Sequence, residues 1–105
     1  MIRHIVFWKF KATADGCSAL ENRQRVADAL AALPDRIPGI QFWELGFCPG
    51  ASEEQVELCL NSRFASQQAL DDYSMHPAHR AVVDLLSRVR SEKRVADYSL
   101  AGAHE

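Results

Sequence analysis

With 105 residues, 48% hydrophobic and 25% charged, the chain has the size and composition of one folded domain, which excludes a disordered segment and a second core. Twelve basic against fourteen acidic residues leave a formal charge of -2, so no broad basic surface is available for a nucleic-acid backbone or a membrane. Three cysteines without CxxC spacing argue against a disulfide framework or a cysteine zinc site, and no signal-peptide plan or long apolar run is present, so the expected location is the cytoplasm.

Ile2 to Lys11 reads as a strand with Ile2, His4, Val6, Trp8 and Phe10 on one face and Arg3, Ile5, Phe7, Lys9 and Lys11 on the other. Each face is apolar at its centre, so the strand expects packing on both sides. Ala12 to Cys17 is a loop around Asp15-Gly16. Ser18 then caps a helix, with Glu21 at the capping-box position and Leu20, Val26, Ala27, Leu30 and Leu33 on the apolar side. Asn22, Arg23, Gln24 and Asp28 form the wet side, and Pro34 ends the helix.

Pro38-Gly39 turns into a second strand, about Ile40 to Cys48, in which Phe42 opposes Trp43. After a short loop, Gln55 to Phe64 is a third strand. Ser66 caps a helix through Tyr73, and a further helix starts at His76-Pro77 and runs to about Arg88. The basic stretch Arg88 to Arg94 reads as a solvated turn flank, with an anion-binding patch as the lesser alternative, before a last strand, Val95 to Leu100. The order β-α-β-β-α-β predicts an α+β, ferredoxin-like domain over residues 1–100 with a four-stranded antiparallel sheet, followed by a tail, 101–105. Both crossovers leave helices on one face, so the other face, with Ile5 and Phe7, predicts a homodimer through the sheet.

The run Tyr73-Ser74-Met75-His76-Pro77-Ala78-His79 carries two histidines three apart, on one side of a helix. A third metal ligand is hard to place, so no metal is expected, and a capping or packing role fits at least one of the two. His4 shares its strand face with Val6, Trp8 and Phe10, where an imidazole needs a hydrogen-bond partner or an opening onto a pocket. Asp97 is placed to hold a histidine's second nitrogen and fix its tautomer, as a structural pair or as part of proton-transfer chemistry.

The opening Ile2-Arg3-His4-Ile5-Val6-Phe7-Trp8-Lys9-Phe10-Lys11, the Leu33-Pro34 and Ile37-Pro38-Gly39-Ile40 region, Phe64-Ala65-Ser66, Tyr73 to His79, and Val95-Ala96-Asp97-Tyr98 together resemble the stress-responsive A/B barrel (Dabb) family over nearly the whole chain. The resemblance implies a dimeric α/β barrel of ferredoxin-like subunits. It also implies kinship with a branch typified by the plant cyclase that makes olivetolic acid, in which a linear poly-β-keto thioester is closed by aldol condensation. Matched by motif, the catalytic residues are His79, Tyr73, His4 and Asp97. His79, oriented by Asp97, removes a proton beside a carbonyl, Tyr73 binds the oxygen where charge develops, and His4 holds the polar end. Trp8, Phe10, Val82, Val83 and Leu86 are the expected apolar wall for a carbonyl ligand. The chain departs from the cyclase at Leu58 and near Val26, where that enzyme has a cavity histidine and a tyrosine.

Two functions fit this reading. One is a cofactor-independent cyclase, isomerase or lyase acting on a carbonyl or polyketide-like compound by His/Tyr acid-base catalysis. The other is a non-catalytic stress-responsive or small-ligand-binding dimer, its pocket filled by Trp8, Phe10 and Leu58. A smaller share belongs to a cofactor-free, oxygen-consuming monooxygenase. No GxGxxG or GxxxxGK run favours a nicotinamide, flavin or nucleotide, so no cofactor is expected.

Overall fold

The computed structural model describes residues 1–100, and the expected tail, 101–105, lies outside the described residues. Strand β1 (Ile2–Phe10) sets the plan, because its alternation sends Val6, Trp8 and Phe10 into the core and leaves Ile5 and Phe7 half-buried on the other face. Two short strands follow, β2 (Thr13–Ala14) and β3 (Cys17–Ser18), then helix α1 (Ala19–Ala31) and a 3₁₀ turn, Leu33–Asp35. Strands β4 (Ile40–Phe47) and β5 (Leu58–Phe64) lead to helices α2 (Gln67–Met75) and α3 (Pro77–Val89), and β6 (Arg90–Ser99) closes the order. The main sheet runs β4-β5-β1-β6 with every neighbouring pair antiparallel. The helices cover one face, where Trp8, Val26, Leu30, Leu58, Leu60 and Phe64 form the centre of the core. Among the described residues no helix is long and apolar enough to cross a membrane.

The barrel expected from the resemblance is not formed. The sheet is open, with β4 and β6 as free edges, because four strands are too few to close around a filled interior, which takes about eight. One sheet face is therefore covered by helices, and the other presents Ile5, Phe7, Phe42 and Tyr98, interleaved with Arg3, Arg63, Asn61 and Glu44. A register shift between Ile40 and Phe42 turns Phe42 to this face while Trp43 stays on the helix side.

Local signals explain most boundaries. The Ser18 side chain accepts the Glu21 backbone N–H at 3.2 Å, and the Glu21 carboxylate accepts the Ser18 N–H at 2.9 Å, completing the capping box. Ser18→Ala is expected to cost about 1 kcal/mol of stability, read as a lower urea midpoint at unchanged slope. Ser66 caps α2 with its side chain alone, accepting from the Ala69 N–H at 3.1 Å.

Four readings of the sequence need correction. The Asp15-Gly16 segment is a hairpin turn and not a plain loop, with φ of 53° and 71°, the double positive φ that lets β2 fold back on β3. Asn22, expected on the wet side of α1, is fully buried because its amide donates to the Ala14 carbonyl at 3.0 Å. The third strand starts at Leu58, three residues late. The segment before it is shaped by Lys9, whose ammonium donates to the carbonyls of Ser52, Glu53 and Gln55 at 3.2, 2.8 and 2.8 Å. Finally, β6 begins at Arg90, directly after α3, so Arg88 lies in the last turn of the helix and Arg90 to Arg94 form an edge strand and not a turn.

Candidate functional site

The cross-strand register lines up two rows of side chains on the helix face. His4, Val6 and Trp8 of β1 stand opposite Asp97, Val95 and Lys93 of β6. Because β6 is the edge strand, the helix layer does not fully cover this row, and a cleft of about 230 Å³ opens between it and α3. Tyr73, near the end of α2, and His79, in the first turn of α3, come to the same cleft because one residue separates the helices. That residue, His76, leaves the helical conformation with ψ of 135°, and Pro77 starts the next helix.

Tyr73 is the hub of an aromatic cluster. It is 2% exposed, and its ring centroid lies 4.3 Å from that of His79, 4.9 Å from Phe64, 5.9 Å from Trp43 and 6.0 Å from His4. Burial pushes its hydroxyl well above the usual tyrosine range, so at neutral pH it is a hydrogen-bond donor and not a base. The Nδ1–H of His79 donates to the Ser74 carbonyl at 3.1 Å, an acceptor only, so in the neutral ring Nε2 holds the free lone pair. Burial lowers the pKa of His79. The Ser74 bond opposes this, and the neighbouring His4 and Lys93 add to it. His79 is thus kept neutral, with Nε2 ready to accept a proton.

The partnership of Asp97 differs from the expected one. Its Oδ1 bonds Nδ1 of His4, directly across the β1–β6 ladder, and it does not orient His79, which takes its tautomer from Ser74. The register decides this, since His4 and Asp97 are paired residues while His79 reaches the cleft from a helix. His76 has the expected capping role, its Nδ1 accepting from Ala78 N–H at 3.0 Å. Among the described residues no group of three or more His, Cys, Asp or Glu is arranged to hold a metal ion.

All four polar candidates, His4, Tyr73, His79 and Asp97, line the one cleft, together with Trp8, Val82, Val83 and Leu86. Phe10 does not. It is 6% exposed in the core further along β1 and away from the opening. Leu58 is also packed in the core and does not fill the cleft. Two polar contributors were missed, the Ser74 carbonyl and Lys93. Lys93 would have been found by extending β6 back to Arg90, because Lys93, Val95 and Asp97 then alternate onto one face. A wider depression of about 490 Å³ lies by Phe7, Cys48 and Val56, but it holds no comparable set of hydrogen-bonding and basic groups.

Known proteins share this architecture. A dimeric protein of unknown function and ferredoxin-like fold from Bacteroides fragilis superposes with a TM-score of 0.77 at 27% identity, over 93% of this chain and 94% of that one. A hydroxynitrile lyase from Passiflora edulis superposes with a TM-score of 0.76 at 18% identity, over 92% of this chain and 90% of that one. The fold is therefore shared with enzymes, and an antibiotic biosynthesis monooxygenase adds a different chemistry to it. In sequence, an uncharacterized protein from Streptomyces coelicolor is 34% identical over 86 residues, which is 81% of this chain and 86% of that protein. Residues 2–100 match the stress responsive A/B barrel domain, and the chain belongs to that family.

Proposed function

We propose that the chain is a small cofactor-independent enzyme that moves a proton at a carbon next to a carbonyl group, in the manner of an isomerase, lyase or cyclase. The observation that carries this reading is the His79–Tyr73 pair at the cleft. It offers a neutral imidazole with Nε2 basic and, in ring contact with it, a phenol that stays protonated. His79 accepts the proton, and Tyr73 donates a hydrogen bond to the carbonyl oxygen as negative charge builds there. His4, held by Asp97 through Nδ1, supplies a second oriented ring for the polar end of the substrate.

The volume argues for a small substrate. About 230 Å³ lies below the usual range of ligand pockets, roughly 300–1,000 Å³, and Leu58 and Val26 are wholly buried in the core. A compact carbonyl compound suits this space better than a long poly-β-keto thioester. The test is deuterium incorporation at the central carbon of methyl acetoacetate in heavy water, followed by NMR. Exchange at least tenfold faster than in buffer alone is expected, and a rate equal to buffer would favour the ligand-binding reading.

The working unit of this proposal is a cytoplasmic homodimer joined through the open sheet face. Ile5, Phe7, Phe42 and Tyr98 give that face an apolar character that a soluble monomer rarely leaves bare, and the Bacteroides fragilis protein is described as dimeric. Sedimentation equilibrium at micromolar concentration is expected to give twice the 11.8 kDa chain mass. A single-chain mass rejects the dimer.

A further inference from the structure

The cleft is polarised along β6. At one end Asp97 is engaged with His4. Lys93 lies four residues away on the same face, about 13 Å along an extended strand. Beyond the main cleft, a compartment of about 30 Å³ shares Trp8, Val83, Leu86 and Lys93 with it and adds Ser87 and Arg90. The charged residues lining this compartment are both cations, and neither the Lys93 ammonium nor the Arg90 guanidinium has an ion-pair partner among the described residues. The Ser87 hydroxyl is already committed to the Asp84 carbonyl at 2.7 Å. Trp8 is 3% exposed, and its indole Nε1–H is buried without an acceptor.

A buried donor without an acceptor costs about 1–3 kcal/mol, and the side chain that carries it lines the compartment together with the two unpaired cations. An anion held between Lys93 and Arg90 answers both cations and brings an acceptor to the side of Trp8. We propose that Trp8, Lys93 and Arg90 form an anion subsite at this end of the cleft, and that the carbonyl substrate carries a carboxylate bound there. The assignment of the carbonyl to the other end rests on the function proposed above, whereas the subsite itself does not. A carboxylate at Lys93 leaves the rest of the molecule against Val82, Val83 and Leu86, with its reactive carbon toward His79. A compartment of this size admits a water or a small anionic group, and a carboxylate fits it better than a bulkier phosphoryl group.

The subsite is tested with inert probes, apart from any turnover. The full chain, labelled with ¹⁵N and with both indole N–H signals assigned, is titrated with benzoate, benzamide and phenylphosphonate. Benzoate is expected to shift the Trp8 indole N–H and to bind at least fivefold more weakly to Lys93→Met, while benzamide leaves that signal in place. Lys93 is exposed, so the variant is expected to fold, and an unchanged spectrum away from the cleft checks this. Equal binding of benzoate and benzamide would overturn the subsite, as would undiminished benzoate affinity in the Lys93→Met, Arg90→Met double variant. Phenylphosphonate binding tenfold tighter than benzoate would overturn the carboxylate assignment in favour of a phosphoryl group. Methyl acetoacetate has no carboxylate, so failure of its exchange speaks against the proposed chemistry and leaves the subsite untouched.

Discussion

Replacing His79 by glutamine is expected to lower enzyme-dependent deuterium exchange by roughly 10²–10⁴-fold, the usual contribution of a positioned acid-base group. Glutamine keeps much of the size of the ring and a donor for the Ser74 carbonyl, but it has no basic nitrogen to replace Nε2. The loss is therefore expected in turnover, with the fold and the benzoate-induced shifts retained as the check on structure. The pH profile gives a second, independent readout. Burial places the pKa of His79 below its ordinary 6.5, so the base form predominates at neutral pH, and the rate should rise with pH about a midpoint below 6.5. The same shift acts on stability. Between the lowered pKa and 6.5 the unfolded chain binds more protons at this residue than the folded one does. The His79 contribution is thus full above pH 6.5 and declines as pH falls through that window. An unaltered exchange rate in the variant would remove His79 as the base, and a profile with its midpoint above 6.5 would assign the titrating group elsewhere.

The order of the main-sheet strands and the helices was readable because each rests on local rules. Alternation in β1, the Ser18 and Ser66 caps and Pro77 at the start of α3 are all settled within a few residues. The convergence of His4, Tyr73, His79 and Asp97 was reached through the motif resemblance, since no local rule brings two strands and two helices to one cleft. What stayed hidden depended on long-range register. Whether Asp97 serves His4 or His79 is decided by which β6 residue faces His4 across the ladder, and no periodicity in either strand states that. The basic stretch misled for a related reason. Charge is normal on an exposed edge strand, so Arg90 to Arg94 looked like a turn until their pairing with β1 was known. Phe10 was assigned to the cleft because it shares a face with Trp8, but the cleft does not extend along the whole of β1.

Phe64→Ala is expected to cost about 3–5 kcal/mol, the largest stability loss of any substitution considered. Phe64 is fully buried at the end of β5, paired across the sheet with Ile2 on one side and Ile40 on the other. A typical domain holds only about 5–15 kcal/mol in total, so the variant should show a much lower urea midpoint and a fraction of unfolded chain at 37 °C. Measurements must be made at one protein concentration, because a dimer gains stability by mass action. The loss should also reach the site. The ring of Phe64 lies under Tyr73 at 4.9 Å and is 6.2 Å from that of His4, so it fixes the floor on which both stand. Phe64→Leu, which retains most of the volume, separates the two effects: a smaller loss of stability, with exchange activity reduced at temperatures where the chain is fully folded. Full activity in folded Phe64→Leu would show that the position of Tyr73 is held by Trp43, His79 and His4 without Phe64, which would then be a core residue without influence on the chemistry.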